Sequence, residues 1–556
     1  MPLLFDDITS ITNKAYIYTS DLEALYNRFG LRVVAYFTFK LNYQLHELNV
    51  WGYHLVNVGI HILASFAVYW FAFLAFKTSL LITSSHTLDI KKIHLFALIA
   101  AVTFAVHPLQ SQAVSYIVQR TAALASLFYI AAMASFLSAR LAQKIKPKIV
   151  YVILTLIFCI LAFYTKQNTF TLPIAFIALE LIFVYQIKQK SYSQLIKPSI
   201  ALLILASLAI CTIWFYKPDF FSLLERFSRE TTDFTRLQYF ETQLSVLALY
   251  IKLFFVPIGQ QVEYIYPIED GNLLNSLGYI IAYLGLFIFS LTQIKKAPLI
   301  AFSLIFYFVA HLIESALIPI SDLVFEHRTY LPNLALCMLV ALCFLYLFDA
   351  NKNAAIVGFC LIVLTLSFLT YQRNNEWRNP ELLYKAELAI NFDKPRMHHM
   401  LGEYYRDTGE HEKSVTSFKN AYDLVGNKSE LDNQGFAYKF AYFNNYIASL
   451  RRTRQLDKVI EVILTTLPTI KENKYRAPIY SNLGFIYLDK NQYDKCEEPL
   501  FMAKSLGPNM VEPLIGLGIC FAMNGDKWVA QKMFYQALQL EPESKRIMAL
   551  GKELGL

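Results

Sequence analysis

The 556-residue chain is short of charge: Asp, Glu, Lys and Arg together make up 17% of it, against ~25% in a soluble domain. That deficit argues for a membrane protein, and the mean hydropathy of +0.39 agrees. Cysteine is sparse too. The seven cysteines (Cys159, Cys211, Cys337, Cys343, Cys360, Cys496 and Cys520) form no CxxC pair, and five fall inside apolar runs. Such spacing excludes a disulfide framework and a zinc site, and leaves them as small buried hydrophobes. The net charge of +8 comes without a dense basic patch, so nucleic acid is not an expected partner. "MPLLF" lacks both the basic start and the long apolar core of a signal peptide.

What the chain does contain is hydrophobic runs. Ten read as membrane spans: 54–76, 92–106, 121–139, 149–165, 168–187, 199–216, 273–292, 298–317, 333–348 and 354–371. Each approaches the roughly 20 apolar residues that a helix needs to cross a bilayer with its backbone satisfied internally. The loops orient them. Alternate loops carry thirteen Lys and Arg residues, including Lys91, Lys92, Arg140, Lys146 and Lys295, whereas the short loops of the other set carry only Arg120, Lys166 and Arg328. The excess marks the cytoplasmic side. Residues 1–53, the 217–272 loop and residues 372–556 then share the external side. Nothing in the first 50 residues could carry them across a membrane, so a further helix is expected upstream of Met1.

From residue 395 the chain turns polar and repeats itself, after a connector at 372–394. Leu483-Gly484 maps onto Leu517-Gly518, Ala503 onto Ala537 and Pro508 onto Pro542, each 34 residues apart. That is the tetratricopeptide period. Leu401-Gly402 and Ala421 mark an earlier copy, and an irregular copy is expected at about 436–471 between them. Such arrays present a concave groove to peptides or proteins, or serve as scaffolds.

Ionisable groups at a membrane edge are costly and point to function. Here they gather on the external side. His54 and His61 share a helix face but lack a third ligand, so no metal is expected. "HPLQSQAVSYIVQR" supplies His107 and Arg120, and "YTKQNTFTLP" supplies Lys166. "RETTDFTRLQYFETQ" supplies Arg229, Glu230, Arg236 and Tyr239, and "EHRTYLP" supplies Glu326, His327 and Arg328. A lipid-borne phosphate would be held by Arg120, Lys166, Arg229, Arg236 and Arg328. These cations would stabilise the charge that develops as it leaves a sugar. One of the adjacent carboxylates Asp6 and Asp7 would accept the proton of the attacking hydroxyl, while the other orients loop or ligand. His54, His61, His107, Glu230, Tyr239, Glu326 and His327 complete the polar candidates.

"FDD", "VWGYHLVNVGIHIL", "HPLQSQAVSYIVQR", "YTKQNTFTLP", "RETTDFTRLQYF" and "EHRTYLPN", in this order, resemble the bacterial branch of the transmembrane and tetratricopeptide repeat proteins. That family is similar to the eukaryotic O-mannosyltransferases that act on cadherins. The resemblance implies an all-α, GT-C-like membrane bundle followed by a repeat solenoid. It also implies transfer of a sugar from a polyprenyl-phosphate carrier to a Ser or Thr of an envelope protein, outside the bacterial inner membrane. The acidic motif of the first external loop falls on Asp6 and Asp7, with a membrane helix before it. One departure stands out: related sequences read Lys-Glu where this chain has Lys166-Gln167. Two other readings compete, a membrane-anchored repeat scaffold and a lipid-linked glycan polymerase or ligase.

Overall fold

The computed structural model describes residues 2–12, 15–18, 22–83, 89–188, 231–426, 433–470, 472–542 and 544–555. Among them the chain is helical, with no strand. It divides into two compact units, Met1–Leu383 and Tyr384–Leu556. The stretch expected as a connector is itself helical: Lys352–Trp377 runs past residue 371, and Pro380–Ile390 follows.

The first unit is a multi-pass membrane bundle. Six of its helices are long and apolar enough to cross a bilayer: Val50–Thr83, Ile117–Leu141, Ile145–Phe163, Gln167–Ile187, Asn333–Ala350 and Lys352–Trp377. Ile90–Val106 and Pro108–Ser115 form a seventh, bent by 55°, and Leu277–Gln293 and Pro298–His311 are shorter apolar helices. The expected span at 199–216 lies outside the described residues. Composition sets each helix's place. The 117–141 span is rich in alanine and 83% buried, because small side chains let neighbouring backbones approach where no hydrophobic force acts between helices. The 145–163 and 352–377 helices carry large apolar residues and are 11% buried, which puts them on the lipid-facing outside.

The bend at His107 is local chemistry. Pro108 has no N–H to donate, so the helix stops, and the His107 ring accepts the Leu109 N–H at 3.2 Å to cap the next turn.

The second unit is a row of antiparallel helix pairs: Pro395–Asp407 with His411–Gly426, Asn433–Arg452 with Leu456–Thr466, Asn473–Asp489 with Glu497–Leu506, and Val511–Met523 with Lys527–Leu540. One contact recurs. A Cβ on Gly402 would lie 2.7 Å from the Phe418 ring, on Gly484 2.3 Å from Leu500, and on Gly518 2.7 Å from Phe534. In each pair the partner stands sixteen residues on, so glycine is what lets the two helices touch. The irregular second pair has Ile447 at this position, buried against the same core as Ile463.

The cysteine expectation needs one correction. Cys496 and Cys520 form a disulfide, with Cα atoms 6.3 Å apart across a sequence separation of 24. Stacking of the third pair on the fourth brings them together, which no spacing rule anticipates. Cys159, Cys337, Cys343 and Cys360 are free thiols, all in the membrane unit; Cys211 lies outside the described residues.

Candidate functional site

The site gathers at one end of the bundle, where the breaks at 107–119, 164–171 and 318–332 interrupt the apolar helices. The opposite end holds lysines and arginines in structural pairs, Lys92 with Asp349 and Arg140 with Glu180.

The Asp pair is held by the 116–118 turn. Phe5 takes a left-handed φ of 47°, uncommon for a large side chain and a form of strain found where function requires it. Its ring packs edge-on against Tyr116 at 6.0 Å. The two carboxylates beyond this twist differ in exposure. Asp7 is buried and accepts the Val118 N–H at 2.7 Å and the Leu4 N–H at 3.1 Å. Asp6 is exposed, while its backbone N–H donates to the Tyr116 hydroxyl at 2.8 Å. Tyr116 is backed by Trp377 at 5.8 Å. Burial, with added repulsion from Asp6, raises the Asp7 carboxyl to about 7, against the pull of backbone N–H groups at Leu4, Val118 and Ile117.

Lys166 and Arg328 come together. Burial, with added repulsion from Arg32 and Arg328, pushes Lys166 below its usual pKa, opposed by Glu314. The Lys166 ammonium meets the Glu314 carboxylate at 2.6 Å, both almost fully buried. Glu314 sits where the 298–311 helix loosens into a π-turn, Ile313–Leu317, with Ser315 out of helical geometry. Such turns often mark functional positions. Tyr239 pins the turn by donating to the Glu314 carbonyl. Arg328 donates to the carbonyls of Leu323 at 3.2 Å and Asp322 at 2.7 Å. Arg32 completes the cluster and donates to Gln167 at 3.3 Å. The acid beside Lys166 is thus Glu314, while Gln167 accepts from Arg32.

The other polar candidates divide. His327 is buried, and both its N–H and its ring contact the Gln112 side-chain oxygen, at 2.7 and 3.1 Å. Glu326 is fully buried and accepts from Gln261 N at 2.6 Å, the Tyr264 hydroxyl at 2.8 Å and Gln260 at 2.9 Å. His61 bonds the Tyr330 hydroxyl and the Ala105 carbonyl, and His107 bonds the Phe254 carbonyl. His54 is half-buried on the same helix as His61, and Arg236 opens the Arg236–Phe255 helix. Arg229 and Glu230 lie outside the described residues.

Arg120 departs from the expected role. It is fully buried, donates to Asn57 at 2.6 Å, Tyr53 O at 3.0 Å and Thr38 at 3.2 Å, and rests on the Phe39 ring. Its guanidinium is spent inside the protein, where it ties the 33–46, 50–83 and 120–141 helices together.

The sequence singles out Gln112 on the bend, beside His107 and Arg120, but passes over its neighbours Gln110 and Ser111. Gln110 (both side-chain ends), Ser111 Oγ and Gln112 Nε2 have no hydrogen-bond partner among the described residues. Each unsatisfied group costs ~1–3 kcal/mol, so the bend concentrates unmet polar atoms at the site end of the bundle. Glu314 was discoverable as a lone acid inside an apolar run; Arg32 left no such signal.

A tetratricopeptide repeat family model matches residues 395–424. Protein O-mannosyl-transferase F38B6.6 of Caenorhabditis elegans is 26% identical over 456 residues, covering 76% of this chain and 59% of that protein. Protein O-mannosyl-transferase TMTC3 is 23% identical in Mus musculus and 22% in Homo sapiens, each across 97% of this chain. The chain resembles the transmembrane and tetratricopeptide-repeat family along nearly its whole length. It spans about six tenths of the length of these relatives. Among solved structures, YrrB, described as a TPR protein with an unusual peptide-binding site, is 13% identical with a TM-score of 0.26, covering 38% of this chain and 97% of that one.

Proposed function

We propose that the protein is a membrane glycosyltransferase that moves a sugar from a polyprenyl-phosphate carrier to a Ser or Thr of an envelope or secreted protein. Relatives named protein O-mannosyl-transferases support the reaction class. The observation that carries the reading is the split burial of the Asp pair, Asp6 exposed and Asp7 buried, at the bundle end that also holds Lys166, Arg328 and the unsatisfied polar atoms of Gln110, Ser111 and Gln112.

Asp6, turned outward, takes the proton of the acceptor hydroxyl as its oxygen attacks the sugar carbon. Asp7 is the positioning residue: through Leu4 and Val118 it fixes the turn that aims Asp6. Lys166, Arg328 and Arg32 hold the departing lipid phosphate and stabilise its charge. The polar groups of Gln110, Ser111 and Gln112 bind sugar hydroxyls. The repeat unit binds the acceptor protein on the external side of the membrane. The Cys496–Cys520 disulfide supports that side, since such bonds persist in oxidising compartments and are rare in the cytosol.

The test is Asp6→Asn in a strain lacking the native protein, with envelope proteins read by intact mass. Transfer is expected to fall by about 10²–10⁴-fold, the usual contribution of a general base, with membrane insertion and carrier binding retained. Undiminished glycosylation would remove Asp6 from the chemistry.

A further inference from the structure

Away from the site, the outer surface between the 50–83 and 90–106 helices carries a groove of about 720 Å³. Its apolar walls include Ile62, Phe66 and Leu98, all exposed, and small residues such as Ser65 and Ala101 give it depth. It runs along the second helix from Lys91 to Ala105, fourteen steps or roughly 21 Å at 1.5 Å per residue. That exceeds one leaflet's half of the ~30 Å hydrocarbon layer.

The two ends differ chemically. At the site end, both His61 ring nitrogens are engaged, by Tyr330 and by the Ala105 carbonyl, so no polar group there is left to a ligand. At the other end the Tyr69 hydroxyl pairs with His94, and the exposed Lys91, one helical turn before His94, lines the groove. A ligand that fits is therefore an amphiphile whose anionic head lies at the Lys91 end. That is the lysine-rich end, which faces the cytoplasm and its anionic leaflet. The sugar carrier has the opposite polarity, because its phosphate belongs with Lys166 and Arg328 at the far end of the bundle.

We propose that this groove binds an anionic phospholipid of the cytoplasmic leaflet, one acyl chain along the Phe66–Leu98 walls and the phosphate on Lys91 beside the Tyr69–His94 pair. The lipid would brace the bent 90–115 segment that carries Gln110–Gln112 into the site.

The experiment is native mass spectrometry of the full chain after incubation with vesicles of equimolar phosphatidylcholine and phosphatidylglycerol. Retained lipid is expected to be enriched in phosphatidylglycerol. Lys91→Ala should lower that enrichment about five-fold, the effect of one lysine near an anionic surface. Leu98→Trp, which narrows the groove from its exposed edge, should lose bound lipid of both kinds, and Lys146→Ala, at the same end but outside the groove, should change nothing. Retention of the two lipids in equal measure, equal effects of Lys91→Ala and Lys146→Ala, or full retention by Leu98→Trp would overturn the proposal. Displacement of phosphatidylglycerol by added polyprenyl phosphate would reassign the groove to the carrier.

Discussion

The two units bury their residues by opposite rules. The repeat unit buries one ion pair, Lys394 with Glu387 at 2.7 Å, near its start, and beyond it uses one contact three times, a glycine against a large side chain sixteen residues on. Such a core is interchangeable from pair to pair and carries little chemistry of its own. The membrane unit buries Asp7, Arg120, Lys166, Glu314, Glu326 and His327 at one end, each in a distinct arrangement. Burying charges in this way is a poor route to stability. The contrast supports the proposed division, with partner recognition in the repeats and chemistry in the membrane unit.

Substitution of glycine breaks the contrast most sharply. Gly484→Leu places atoms where Leu500 already packs, since even a Cβ would come within 2.3 Å. Overpacking costs ~1–3 kcal/mol, and a loss near 3 kcal/mol is expected, read as a lowered melting temperature of the repeat unit. Gly59→Leu is the counterpart in the membrane unit. A Cβ there meets nothing within 4 Å, so the bundle should tolerate it. Equal losses in the two variants would contradict the distinction.

Asp7→Asn sharpens the comparison at a single buried charge. The folded protein holds this carboxyl's pKa at about 7, above its ordinary 3.8. Between those values the folded state binds more protons than the unfolded state, so the contribution to stability falls as pH rises from about 4 to about 7 and is level above. The asparagine variant should lose this slope. It should also loosen the N-terminal turn at every pH, because its amide turns an N–H toward either Leu4 N or Val118 N, at ~1–3 kcal/mol. Proteolysis rates of the first twelve residues across this pH range would report both effects.

Much of this was legible in the sequence, for physical reasons that differ between residues. The spans and the 34-residue period follow from hydrophobic patterning, which folding must obey. Asp6, Asp7, Lys166 and Arg328 stand out because charge is costly beside a bilayer. Arg120 looks the same in sequence, yet only three dimensions reveal that Asn57, Tyr53 and Thr38 engage all three of its guanidinium nitrogens. The Cys496–Cys520 bond was hidden for a related reason, as helix stacking rather than spacing creates it. Gln110, Ser111 and Gln112 are ordinary polar residues until burial strips them of water.

Glu314 is where sequence and structure pull furthest apart. The missing carboxylate at Gln167 puts the local chemistry around Lys166 in question, and the structure answers with an acid from a distant π-turn. Among the described residues, Glu314 and Asp322 face Arg32, Lys166 and Arg328, which leaves the cluster one charge positive and keeps Lys166 in place before a phosphate arrives. Glu314→Gln removes that counter-charge without removing volume. Binding of polyprenyl phosphate to the nanodisc-embedded protein should then tighten about five-fold, as expected for one partly screened charge, while Lys166→Met should weaken it. If Glu314→Gln weakens binding as well, Glu314 acts by holding the lysine in register, and the cluster works as a rigid cradle rather than as a site from which the phosphate displaces an internal anion.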